Sequence, residues 1–400
     1  MIRTIPVSRL RPGMFIVDLH RGWLDHGFWR NRFLVRDEAT VRRIVTSGIT
    51  EVSIDIERGI DIERKRPALP SLPPLSAAER IKRRPIEVSL GEERRRAARL
   101  LNEANHTVLE LMESARLGNG VDACRLEPVV ERMIASVRRN PDALVPLARL
   151  KQRDHYAGEH AVASAALMVA LGQHLGVTQD EIERLALGAL VKDVGQLALD
   201  GELTAKPGLL SDRELRLMQS HVEESLSVLD APSRLGETAV AVILEHHERF
   251  DGSGYPYRRV GEEISLAGRM AAIADTYDAM ISDRPYRRAL SPAAALRQIF
   301  EQSGRQFDPE LVAGFVHTLG VYPVGTLVKL ESGHLAVVEE QNAGQPLEPV
   351  VKVIYHAGRR QYCEPVVVDL ARRIGNHYGR IVRAESFERW GISPLRWQPA

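Results

Sequence analysis

Six side chains carry the donor atoms that divalent cations favour: His160, Asp193, His221, His246, His247 and Asp275. They stand on separate, mostly helical stretches, each flanked by apolar residues. Imidazole nitrogen and carboxylate oxygen suit a hard or borderline divalent ion, and two such ions bridged by one carboxylate make a clamp for cleaving phosphodiesters. Taken singly, a histidine on an apolar face is more often a hydrogen-bonded core residue than a ligand, and adjacent histidines on a helix point in different directions. The surrounding words change that weighing. Residues 246–256 read HHERFDGSGYP, where glycines permit a tight loop beside a paired-histidine helix end.

The elements that must hold these residues are mainly helical. Between residues 121 and 320, apolar positions recur at three- and four-residue spacing with few β-branched alternations. Helix starts are legible: Ser211-Asp212-Arg213-Glu214 has the form of a capping box, and Ser291-Pro292 sets a capping serine before a proline at the first helical position. Residues 91–120 predict a long charged connecting helix, with Ala98, Leu101, Ala104, Val108 and Leu111 on one stripe, packed on the next domain or paired between subunits. Upstream, residues 1–63 alternate apolar and polar positions around the helical stretch DEATVRRIVTSG, which predicts a small α+β domain. Residues 64–90 are rich in proline and basic side chains and are expected to be an extended linker. Beyond residue 321, runs such as GTLVKL, HLAVVEE and PVVKVIY predict a small β-rich C-terminal segment and tail. The expected fold class is therefore mainly α.

Charge names no partner. The 54 basic and 53 acidic residues nearly cancel, so no global field draws the chain to a nucleic acid polymer or an anionic membrane. Cys124 and Cys363 are far apart and outside any CxxC pattern, which argues against a disulfide framework or a thiolate zinc site. The N-terminus lacks a signal-peptide apolar core, and no stretch reaches the roughly 20 apolar residues of a membrane span, so a cytoplasmic protein is expected.

The words around the six residues resemble the HD-GYP family in number, order and spacing. Tyr156 with His160 is similar to its opening segment, KPGLL at 206–210 with His221 to its middle, ADTYDAM around Asp275 and RPYR at 284–287 to its end, with FDP at 307–309 completing the series. The resemblance implies an all-helical HD-type domain over residues 121–320 that hydrolyses cyclic di-GMP to pGpG or GMP at a centre of two or three metals, iron or manganese being favoured. It implies that His160, Asp193 and Asp275 hold one ion, and that Asp193 bridges to a second held by His221, His246 and His247. Arg284 and Arg287 match positions that contact substrate phosphate, a task suited to the guanidinium fork, and Gly254, Tyr255 and Pro256 form the substrate-side loop.

The chain departs from the family at the doublet itself, which reads Lys192-Asp193-Val194-Gly195-Gln196. Lys192 replaces an imidazole with an ammonium that has no lone pair to give a metal, and Gln196 replaces a lysine that reaches the substrate phosphate. These three catalytic positions, Lys192, Asp193 and Gln196, leave three readings open. The chain is a phosphodiesterase of full or impaired activity, a silent cyclic di-GMP sensor, or a scaffold for a diguanylate cyclase or other signalling protein. A homodimer through the connecting helix is a further option. The N-terminal stretch resembles the domain of unknown function found before HD-GYP domains. Trp23, Phe28, Trp29 and Phe33 are expected to pack on its own sheet, with His20 and His26 at the surface.

Overall fold

The computed structural model describes residues 2–12, 14–18, 33–35, 38–46, 49–55, 88–149, 156–199, 201, 203, 206, 208, 210–283, 288–342, 345–372 and 377–397. The chain divides into two units, Met1–Ser71 and Leu72–Ala400. In the first, period-two patterning gives β1 (Ile2–Pro6), β2 (Phe15–Asp18), a short β3 (Phe33–Leu34) and, after helix α1 (Glu38–Thr46), β4 (Glu51–Asp55). They form an antiparallel sheet in the order β1-β4-β2-β3, with Ile5 opposite Val52. Ile5, Ile16, Val52 and Ile54 bury one set of strand positions together with Ile44 of α1. This is the expected α+β unit. Trp23, Phe28, Trp29, His20 and His26 lie outside the described residues, as does most of the expected linker.

The second unit begins with α2 (Leu90–Arg116), whose N-terminus is capped by Ser89 accepting from the Glu92 amide. Its buried stripe runs through Ala97, Leu101, Ala104, Val108 and Leu111, while Ala98 is exposed. That corrects the expected stripe by one residue at its start: positions 97 and 98 stand four and three residues before Leu101, both helical steps, and it is position 97 that the packed face takes. The face packs within the unit on α3 (Glu127–Arg139), α4 (Pro141–Ala148) and α5 (Tyr156–His174). Glu93 anchors it: its wholly buried carboxylate accepts from Arg139 at 2.6 and 2.8 Å and from Ser136 at 2.7 Å.

The core continues through α6 (Gln179–Val191), α7 (Asp212–Gln219), α8 (His221–Val228), α9 (Gly236–Glu245), α10 (Leu266–Met280), α11 (Pro292–Glu301) and α12 (Pro309–Leu319). The Ser211–Glu214 capping box forms, and Ser291 caps α11 ahead of Pro292. Asp308 of the FDP run caps α12 through its backbone amides, so that word is a helix start. Close approach of α6 and α9 depends on Gly188, where a Cβ would lie 2.7 Å from Ala239 O. After the helices, β5 (Leu327–Leu330), β6 (His334–Glu340), β7 (Val350–His356), β8 (Gln361–Asp369) and β9 (Ile381–Ala384) form one antiparallel sheet in the order β8-β7-β6-β5-β9. It is tied to the helices by Asp142, which accepts from the Gln341 amide at 2.9 Å, and by Arg94, which donates to Glu339 O at 3.0 Å. The fold is mainly α, with small sheets at either end.

Candidate metal centre

Five helices bring side chains to one buried site. The first turns of α5 and α8 bring His160 and His221, the end of α6 brings Lys192 and Asp193, the end of α9 brings His246 and His247, and α10 brings Asp275. Among the described residues, two donor sets form, each with one ligand atom per residue and all atoms within 4.8 Å of one another. One is Asp193, His221, His246 and His247; the other is His160, Asp193 and Asp275, so Asp193 is common to both.

The first of these sets fits a divalent ion. His221 Nδ1 lies 2.6 Å from Met218 O and His246 Nδ1 2.8 Å from Ile243 O. A carbonyl accepts only, so each Nδ1 carries the proton and each Nε2 keeps its lone pair. Both Nε2 atoms are buried without a hydrogen-bond partner, 3.5 and 3.7 Å from Asp193 Oδ1. Orphaned buried acceptors are costly unless something fills the space between them. Burial holds the His221 imidazole below its usual pKa, and burial with the neighbouring His246 holds His247 well below it. Neutral imidazoles beside an ionised carboxylate are the protonation state a metal requires.

The other set is already filled. Lys192, 1% exposed, places Nζ against Asp193 Oδ2, 2.6 Å from Asp275 Oδ1 and 3.3 Å from His160 Nε2. All three donor atoms of this set therefore face an ammonium, and the set as folded does not fit an ion. Burial would raise both carboxylates, but the Lys192 charge outweighs it and holds Asp193 and Asp275 well below the ordinary range. The two carboxylates in turn outweigh burial and keep Lys192 protonated. Gln196 turns inward as well, donating from Nε2 to Asp193 Oδ1 at 2.8 Å.

Several residues hold this arrangement in place. Ser225 Oγ lies 2.7 Å from Lys192 O and accepts from the Gly195 amide at 2.9 Å. Gly195 allows the turn to seat on α8, since a Cβ there would lie 2.3 Å from His221 O. Gly254 lies beneath the histidine pair, where a Cβ would come within 2.5 Å of His247 O, and Tyr255 stacks on the His247 ring at 4.6 Å. The GYP loop thus braces His247 directly. Glu248, fully buried, accepts from the amides of Tyr257 and Arg259 at 2.7 and 3.1 Å and fixes the loop's return. Two supporting carboxylates went unread in the sequence, Glu248 and Asp278. Asp278 lies 2.5 Å from His160 Nδ1 and orients that ring. Its signal was available, because Asp278 stands three residues after Asp275 and so shares its helix face. Arg284 and Arg287 lie outside the described residues, as does the Tyr156 side chain. Cys124 and Cys363 are free thiols.

Comparison with known proteins agrees with this architecture. Residues 129–311 match the HD domain family, and residues 2–125 match a domain of unknown function, DUF3391. A cyclic di-GMP phosphodiesterase of Pseudomonas aeruginosa is 39% identical over 396 residues, which cover 99% of this chain and 95% of that protein. A cyclic di-GMP phosphodiesterase response regulator of Xanthomonas campestris pv. campestris is 34% identical over 188 residues, 46% of this chain and 50% of its own. A 3'3'-cGAMP-specific phosphodiesterase of Vibrio cholerae is 33% identical over 164 residues, 41% of this chain and 31% of its own. With the GYP loop braced against the histidine pair and similarity running nearly end to end with the first of these relatives, the chain belongs to the HD-GYP family of HD-domain proteins.

Proposed function

We propose that this protein hydrolyses a phosphodiester bond of cyclic di-GMP at the centre formed by Asp193, His221, His246 and His247. The observation that carries the reading is the pair of buried imidazole lone pairs, on His221 and His246, that face Asp193 with no partner of their own. Those four side chains would hold a divalent first-row ion, which their nitrogen and oxygen donors suit, and the resemblance to the HD-GYP family favours iron or manganese. Bound there, the ion supplies Lewis acidity and lowers the pKa of water.

The net reaction adds water across one bridging phosphate. The water oxygen bonds to phosphorus, the bond from phosphorus to the ribose 3' oxygen breaks, one proton goes to that oxygen and the other to solvent, and linear pGpG results. The chain's residues prepare this step. Asp193 stays ionised beside Lys192, His221 and His246 present fixed lone pairs, and Tyr255 with Gly254 keeps His247 from tilting. Arg284 and Arg287 would take the phosphate oxygens. Cyclic di-GMP is favoured over the mixed dinucleotide because the relative that matches this chain nearly end to end is named for cyclic di-GMP.

One observation favours a second reading, a sensor that binds the nucleotide without cutting it. Gln196 brings no charge to the phosphate and spends its amide on Asp193. Anaerobically purified protein, reconstituted with manganese, is to be incubated with cyclic di-GMP and the products separated by chromatography. Appearance of pGpG that vanishes in His247→Ala supports the hydrolase. Calorimetric binding of cyclic di-GMP with no product over hours supports the sensor.

A further inference from the structure

We propose that the Lys192 ammonium is the permanent occupant of the first cation position, so that each chain takes up a single divalent ion and not a pair. This rests on the reading of Asp193, His221, His246 and His247 as a metal site and concerns the neighbouring set.

The geometry of Nζ carries the inference. It contacts each donor atom that a first ion would need: Asp193 Oδ2, Asp275 Oδ1 at 2.6 Å and His160 Nε2 at 3.3 Å. The lysine is 1% exposed, so its charge has no solvent to retreat into and is compensated by these carboxylates alone. Its root is fixed too, since Lys192 O is bonded to Ser225 Oγ at 2.7 Å at the end of α6. A dication entering this set would have to displace a buried ammonium or sit against it, and the lysine offers no lone pair in return. His160, freed from metal duty, is held by two carboxylates, Asp278 at Nδ1 and Asp275 at Nε2. Asp193 divides its oxygens accordingly, with Oδ2 on the ammonium and Oδ1 facing His221 and His246.

The test counts ions and does not depend on turnover. Full-length protein is loaded anaerobically with Mn2+, desalted, and analysed by mass spectrometry for manganese and by electron paramagnetic resonance. About one ion per chain is expected, with the spectrum of an isolated Mn2+ and no exchange-coupled signal. His160→Ala keeps that ion and His247→Ala loses it. Lys192→His, which puts an imidazole back, raises the count to about two and produces an exchange-coupled spectrum. If Lys192→His fails to fold, the His160→Ala and His247→Ala pair still decides. Two ions in the unaltered chain, none at all, or an ion lost in His160→Ala and kept in His247→Ala overturns the proposal. Cyclic di-GMP turnover, followed in parallel, separates the two claims. One ion without turnover leaves this inference standing and removes the hydrolase, whereas two ions with turnover do the reverse.

Discussion

Inside a protein, an ammonium and two carboxylates stabilise one another only as a set. Lys192→Met removes the cation and leaves the nearly buried Asp193 and the buried Asp275 with His160 as the remaining cationic partner, a loss expected to cost about 3 kcal/mol in metal-free protein. The same change empties the first cation position, so added Mn2+ should restore much of that loss. Denaturant melts of the variant and of the unaltered chain, each with and without Mn2+, check this, and a variant that gains no more from Mn2+ than the unaltered chain contradicts the charge argument. Gln196→Lys tests the neighbouring position. A restored ammonium at the phosphate side should raise kcat on cyclic di-GMP about tenfold or more, read from initial rates. The residues of the candidate site were legible in the sequence because His246, His247 and the glycines after them form a continuous word. The role of Lys192 was legible only as a departure. That its ammonium meets donor atoms from α5, α6 and α10 at once is a fact of tertiary packing, which no local spacing encodes.

At the scale of elements, the site depends on how closely backbones approach. Gly254→Ala would drive a Cβ to 2.4–2.5 Å from the backbone of residues 247–249, so the GYP loop must move and take Tyr255 off the His247 ring. The expected outcome is a folded protein by circular dichroism whose manganese affinity, measured by competition with a chelating dye, falls about tenfold or more. Further from the site, Glu93 joins α2 to α3. Its carboxyl pKa lies below its ordinary value of 4.5: burial would raise it, but hydrogen bonds from Arg139 and Ser136 outweigh that. A depressed folded pKa means the stabilisation is complete above the unfolded value and is lost as pH falls through the folded one. Glu93→Gln should therefore cost about 2 kcal/mol at pH 7, with the gap to the unaltered chain narrowing below about pH 4.5 in urea melts. Helix starts were readable because a cap is a local device, as at Ser211–Glu214 and Ser291–Pro292. The stripe of α2 was misplaced at Ala98 because periodicity alone does not choose between adjacent small residues; the partners on α3, α4 and α5 do.

Over the whole molecule, the first unit has one apolar core, the second has a helical core with further apolar clusters in its C-terminal sheet, and among the described residues the donor set that fits a metal lies in Leu72–Ala400. Binding free energy enters the stability of the part that must fold to form the site. An ion present at 100 times its dissociation constant contributes about 2.7 kcal/mol, and a body of this size gains about 1.5 °C per kcal/mol. Calorimetry of the full chain should therefore show one transition moving up by about 4 °C when Mn2+ is added to chelator-treated protein. The transition belonging to the first unit, whose described core is strands β1 to β4 and helix α1, should stay in place. The C-terminal sheet should melt with the helices, because Asp142 and Arg94 bind its residues Gln341 and Glu339 from inside the helical core. A sheet that unfolds apart from the helices, or a first-unit transition that follows the metal, would show that stability is partitioned differently from the cores.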